Sequence, residues 1–169
     1  MRGSAENNRG VQAITSFTLD QLTAFIVRAK AATYVGSGAP GPSSRPGSHD
    51  LQFRDGDFAY LDSYFGGSDF VGEEVVYYEE RPVWALNYYG RIIEPALITG
   101  TETGQIIKAS LSQLYLQGRF LGGFEFTLAE DTYVDTNTGD AKSFTGLEWI
   151  VRGKVKVYEL FYHGGLILD

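Results

Sequence analysis

A chain of 169 residues carries 14 basic and 21 acidic side chains, a formal net charge of -7, and no cysteine. That length fits one domain with its own core. The missing thiols exclude disulfides and thiolate chemistry, and the acidic balance disfavours attraction to phosphate backbones or anionic lipid. No apolar run approaches the roughly 20 residues that span a bilayer, and the first residues lack the apolar segment of a secretory signal. The expected setting is therefore cytoplasmic, away from membranes, with no nucleic-acid binding by the domain itself. Eleven Tyr, eleven Phe and 21 Gly describe a sheet-rich protein with tight turns and aromatic packing.

Residues 1–16 are polar and expected to be a flexible N-terminus, ahead of a single α+β domain over 17–169. A helix starts at Thr18. This residue is the N-cap, Gln21 completes a capping box, and Phe17 stands where it can staple onto Leu22. Asp20 sits favourably in the positive first turn. Leu22, Phe25, Ile26, Ala29 and Thr33 supply one apolar face. The stretch from Gly36 to Asp50, GSGAPGPSSRPGSHD, is too rich in Gly and Pro for a regular element. It reads as a loop, with Arg45 and His49 as its ligand-contacting candidates over one mouth of a pocket.

The stretch from Asp57 to Gly90 is expected to form three short strands. Phe58 to Phe65 alternates and ends at Gly66-Gly67. Phe70 to Tyr78 runs to a turn at Glu79–Pro82, and Val83 to Ile93 is rich in aromatic and β-branched residues. Thr103 to Leu116 fits a second helix, ended by Gly118. Strand resumes over 120–134, interrupted at Gly122-Gly123, and Asp135 to Asp140 reads as a loop without the register of a calcium site. A last hairpin turns at Arg152-Gly153. A weaker copy of the first meander lies 74 positions on, where Phe70, Gly72, Glu74, Val83, Leu86, Tyr88 and Gly90 meet Phe144, Gly146, Glu148, Val157, Leu160, Tyr162 and Gly164. This suggests a duplicated three-stranded meander. The expected architecture is an N-terminal helix plus a curved, mainly antiparallel sheet, with a second helix between the halves.

Chemistry points to one polar pocket. Glu73, Glu74 and His163 are the candidate proton-transfer groups, since a carboxyl among apolar rings can be raised into the working range of an acid and an imidazole titrates near neutrality. Asp62, Trp84, Asn87, Tyr88, Arg91 and Tyr158 are the further ligand-contacting candidates. Two histidines 114 positions apart make no metal motif, and no G-x-S-x-G elbow occurs. No cofactor or metal is expected.

The segments AKAATY (29–34), SRPGSHDL (44–51), Gly72-Glu73-Glu74, PVWALNYYG (82–90) and YHGG (162–165) together resemble an uncharacterised bacterial domain of unknown function. That resemblance covers Leu19 to Gly165 and implies a domain found alone or fused behind helix-turn-helix regulators, hence a small-molecule sensor. The function expected first is recognition of a small polar or aromatic molecule. The alternatives are a small enzyme using a Glu or His for acid–base chemistry, and a protein-interaction or structural domain, with homodimerisation open to it through an edge strand.

Overall fold

A computed structural model describes residues 17–35 and 42–168. Its first element is the helix that the capping signals announce, α1 (Leu19–Lys30). Thr18 Oγ1 accepts from Gln21 N at 3.1 Å, and Gln21 Oε1 accepts from Thr18 N at 2.7 Å, so two orphan donors are satisfied reciprocally. Leu22, Phe25, Ile26 and Ala29 are fully buried. Phe17 packs on Phe58 and Tyr78, with ring centroids 5.4 and 5.0 Å apart. The helix widens into a π-type turn over 31–35, a local change of pitch often found beside functional sites.

Eight strands follow in two groups of four. The first holds β1 (His49–Asp55), β2 (Phe58–Gly66), β3 (Phe70–Tyr78) and β4 (Arg81–Ile92). Then come α2 (Gly100–Leu116) and the second group, β5 (Phe124–Leu128), β6 (Asp131–Asp140), β7 (Ser143–Arg152) and β8 (Val155–Leu166). They form one antiparallel sheet in the order β1-β2-β3-β4-β8-β7-β6-β5, open at β1 and β5. The α+β class and the position of the second helix are as expected, and each meander carries one strand more than the three anticipated. β1 grows out of the end of the Gly/Pro-rich stretch, where His49 to Asp55 pairs with Tyr64 to Phe58. The anticipated loop at 135–140 is the end of β6, because Asp135 pairs with Glu148 while the Thr138 and Thr145 hydroxyls bond across the strands at 3.0 Å. Gly122 and Gly123 precede β5 instead of interrupting it. The second helix begins at Gly100 because Thr99 caps it with a second capping box, completed by Glu102.

The internal repeat is written into the register. Asp62 pairs with Glu74 and Glu74 with Leu86, while Asp135 pairs with Glu148 and Glu148 with Leu160. Each half carries a register shift at the same place, after Val76 in β3 and after Ile150 in β7. The halves meet where β4 runs against β8, with Tyr88 directly opposite Tyr162. Successive strand residues face opposite sides. One face, carrying Tyr60, Trp84, Leu86, Tyr133, Tyr158 and Leu160, is buried with Leu22, Ile26, Ile106 and Leu114 of the helices. Each such large side chain contributes about 1.5–3 kcal/mol by leaving water. The other face bears Val71, Tyr89 and Phe161, about half exposed.

Candidate functional site

Between the helices and the buried face of the sheet lies a cavity of ≈ 270 Å³, near the small end of the roughly 300–1,000 Å³ typical of ligand pockets. Its most exposed lining residues are Gly67 and Ser68 of the β2–β3 turn, next to the half-exposed Gly100 and Gly104 of α2.

The floor is a device built twice. Tyr88 lies across Gly72 of the neighbouring strand, where a Cβ would overlap its ring, and its hydroxyl donates to Asp62 Oδ1 at 2.6 Å. Tyr162 lies across Gly146 in the same way and donates to Asp135 Oδ1 at 2.7 Å. Beside each aspartate, one strand over, stands a glutamate: Glu74 in the first half and Glu148 in the second. The missing side chain of each glycine is thus what lets a tyrosine reach an acid two strands away.

The roof distinguishes the halves. Lys30, at the end of α1 and only 8 % exposed, donates to Glu74 Oε1 at 2.5 Å. The corresponding position of α2, counted from the capping threonines (Thr18 to Lys30, Thr99 to Leu111), is occupied by Leu111, which also lines the cavity. Tyr34 and Tyr115 correspond by the same count and both line it. Glu148 makes no ion pair among the described residues.

The electrostatics follow from that difference. Burial, and then the charge of Asp135, push Glu148 up to about 8, with Tyr133 and Lys30 pulling only partly against them. Burial, reinforced by Glu74, pushes Asp62 up to about 7 despite the hydrogen bond from Tyr88 and the charge of Lys30. Asp135 is also raised by burial, against the pull of Tyr162, Lys30 and Arg119. Two polar atoms within this lining have no partner: Glu74 Oε2 and the Tyr158 hydroxyl. A buried acceptor and a buried donor without partners each carry a cost that a ligand can relieve. Among the described residues no three or more His, Cys, Asp or Glu converge as a metal-ion site. What the arrangement can do is hold a molecule with an apolar body and a polar or charged head, or deliver a proton from a carboxyl kept neutral near pH 7.

Of the residues singled out in the sequence, Asp62, Glu74, Tyr88 and Tyr158 come together here. Trp84 lies deeper, fully buried, stacked on Phe144 with centroids 5.7 Å apart and donating from Nε1 to Ala141 O at 3.0 Å. His49 packs against Tyr64 at 5.1 Å and is exposed. The remaining candidates are on the opposite face of the sheet. Asn87 pairs with Glu73 on one side and His163 on the other, and Glu73 and His163 are exposed. Arg91 binds Glu159 there at 2.7 Å. Arg45 is held on that side too, donating to the Ser63 carbonyl at 2.7 Å with its guanidinium 4.6 Å from the Phe65 ring centre. The structure therefore does not bring Asn87, Arg91, Glu73 and His163 to Tyr88 and Glu74. Lys30, Leu111, Glu148 and Tyr162 line the cavity as well, and none of them was singled out as a site residue. For the last two the signal was present, since the repeat aligns them with Glu74 and Tyr88.

The model of the family described as Domain of unknown function (DUF5680) matches residues 62–167, and the chain belongs to that family. The match spans both acid–tyrosine units and leaves Lys30 outside it. No curated protein and no solved structure matches the chain. Among the described residues, no helix is long and apolar enough to cross a membrane.

Proposed function

We propose that this member of the DUF5680 family binds a small molecule non-covalently in the cavity between its helices and sheet. The observation that carries this reading is the coincidence of space with unmet polar demand: a cavity of ≈ 270 Å³ walled by aromatic rings, with Glu74 Oε2 and the Tyr158 hydroxyl buried and unpartnered in its lining. Rigid tyrosines give contact area at low entropic cost, and the few polar groups fix orientation. The bacterial, regulator-fused setting that the family resemblance implies belongs to this proposal, with the domain as its sensor.

The test is to close the opening. A Cβ at Gly104 would meet nothing within 4 Å, so Gly104→Phe can be carried by the helix with its ring across the mouth. In a thermal-shift screen of small aromatic and polar compounds, hits should stabilise the wild type saturably and leave Gly104→Phe unmoved. Equal stabilisation of both proteins would sink the pocket. A second reading, proton transfer to a bound substrate, is favoured by the carboxyls of Asp62 and Glu148, raised to about 7 and about 8. It requires turnover of a hit that Glu148→Gln binds but does not convert.

A further inference from the structure

The two halves of the cavity differ in one respect that specifies a ligand. In the first half an internal ammonium, Lys30 Nζ, sits on Glu74 at 2.5 Å. In the second half Leu111 occupies the corresponding helix position, and Glu148 makes no ion pair among the described residues, feeling only the charge of Lys30 across the cavity. We propose that the cavity takes a small organic cation, an amine with an aromatic or aliphatic body, whose ammonium sits on Glu148 at the place related to Lys30 Nζ by the internal repeat. This rests on the binding reading above and adds the charge and orientation of what is bound.

Three further observations support it. Three carboxylates in the cavity lining, Asp62, Glu74 and Glu148, face a single lysine. Arg119, whose charge acts on Asp135, is engaged with the Leu121 and Gly122 carbonyls and with Gln117. The walls are also suited to a cation's body. Tyr34 and Tyr115 come from the helices and Tyr158 from the sheet, and ring faces attract ammonium groups. Finally, the unpartnered Glu74 Oε2 leaves a second acceptor beside the first.

The groups around Glu148 fix the pH behaviour. Lys30 on α1 draws its proton off, Asp135 on β6 and Glu74 on β3 hold it on, and Tyr133 on β6 helps release it. Tyr34, Tyr115 and Tyr158 are pushed upward, mainly by burial, and stay neutral. With its carboxyl at about 8, Glu148 is mostly protonated at pH 7 before an amine arrives. Binding of the ammonium form ionises it and releases a proton, so affinity climbs as pH rises from 6 to 8.

Calorimetric titration with three probes of one shape decides the matter: phenethylamine, phenethyl alcohol and phenylacetate. The wild type should bind the amine at least about tenfold more tightly than the alcohol, should reject phenylacetate, and should release protons on binding the amine, read as a dependence of the heat on the buffer. Glu148→Gln should remove the amine's advantage and its proton release while keeping the alcohol. Leu111→Lys, which supplies the missing ammonium from within, should also remove the advantage and raise the melting temperature. If the alcohol or phenylacetate binds as well as the amine, the charge assignment fails and the pocket stands. An amine preference that survives Glu148→Gln overturns the placement on Glu148. If none of the three binds, this inference and the binding reading fail together.

Discussion

The Asp62–Glu74–Tyr88 unit seated on Gly72 and the Asp135–Glu148–Tyr162 unit seated on Gly146 are alike in strand register, hydrogen bond and glycine seat. They differ at one helix position, which holds Lys30 on Glu74 in the first half and Leu111, by the same count from the cap, in the second. The comparison separates what the duplicated sheet imposes from what one helix position decides. Two pairs of acids, three of the four buried and Glu148 half-buried, are a consequence of the repeat. Whether a pair has a cation in direct contact follows the helix position that holds Lys30 in one half and Leu111 in the other. A half whose acid is paired internally is structural, and a half whose acid is held protonated is free to ionise against a charge brought from outside.

Removing the internal cation should have the largest effect. Lys30→Met leaves Glu74 buried beside Asp62 with nothing opposite, and the loss in urea unfolding should be about 3–5 kcal/mol, most of it recovered in Lys30→Met/Glu74→Met. A loss no greater than that of an exposed ion pair such as Arg54–Glu80 would make the two halves equivalent and erase the distinction. Next in size is the pH dependence of stability. Asp62 and Glu148 bind protons more tightly in the folded chain than in the unfolded one, where they titrate near 4. Their contribution is therefore complete below about pH 4 and is lost as pH rises to about 8, so unfolding free energy should fall across that window by on the order of a few kcal/mol. Asp50 works in the opposite sense. Burial would raise it, but hydrogen bonds from Ser44, Ser48 and Ser63 hold it at about 2, which costs stability only on acidification below about pH 4. Glu148→Gln should flatten the slope between pH 5 and 8, and an unchanged slope would remove Glu148 from the explanation.

The glycine seats sharpen the likeness between the halves. Gly72→Ala and Gly146→Ala each drive a Cβ into a tyrosine ring, and overpacking of this kind should cost about 1–3 kcal/mol in each half. The aspartate released from its tyrosine should show as a changed Tyr88 or Tyr162 hydroxyl environment. A cost in one half only would mean that the second seat is not equivalent. The smallest effect is shared by the caps: Thr18→Ala and Thr99→Ala should each cost about 1 kcal/mol in thermal or urea unfolding, since both lose the same capping box.

Much of this was legible in the residues. The start of α1 was, because capping chemistry is local and Thr18 with Gln21 needs nothing distant. The repeat was, because glycine and tyrosine recur at fixed spacing for a steric reason, a ring lying over a missing Cβ. β1 and the end of β6 were not, because His49–Asp55 and Asp131–Asp140 are polar segments whose strand pairing is supplied by their partners. Within the site, alternation already puts Asn87 and Tyr88 on opposite faces of one strand, so a single pocket could not hold both. Lys30 was hidden for another reason. On a helical wheel it looks like a solvated basic residue in the last turn, and its burial on Glu74 depends on where the helix lies across the sheet. Leu111 fits the apolar side of α2, so only its correspondence with Lys30 sets it apart.

The titration of Glu148 itself tests the asymmetry most directly. With glutamate carboxyls labelled with carbon-13 and the Glu148 resonance assigned by its disappearance in Glu148→Gln, its midpoint in the free protein should lie near 8, and should drop when a bound amine supplies the ammonium that Leu111 does not. A midpoint in the ordinary carboxylate range, near 4, and unmoved by amines would mean that the second acid pair is already satisfied and that the two halves do the same work.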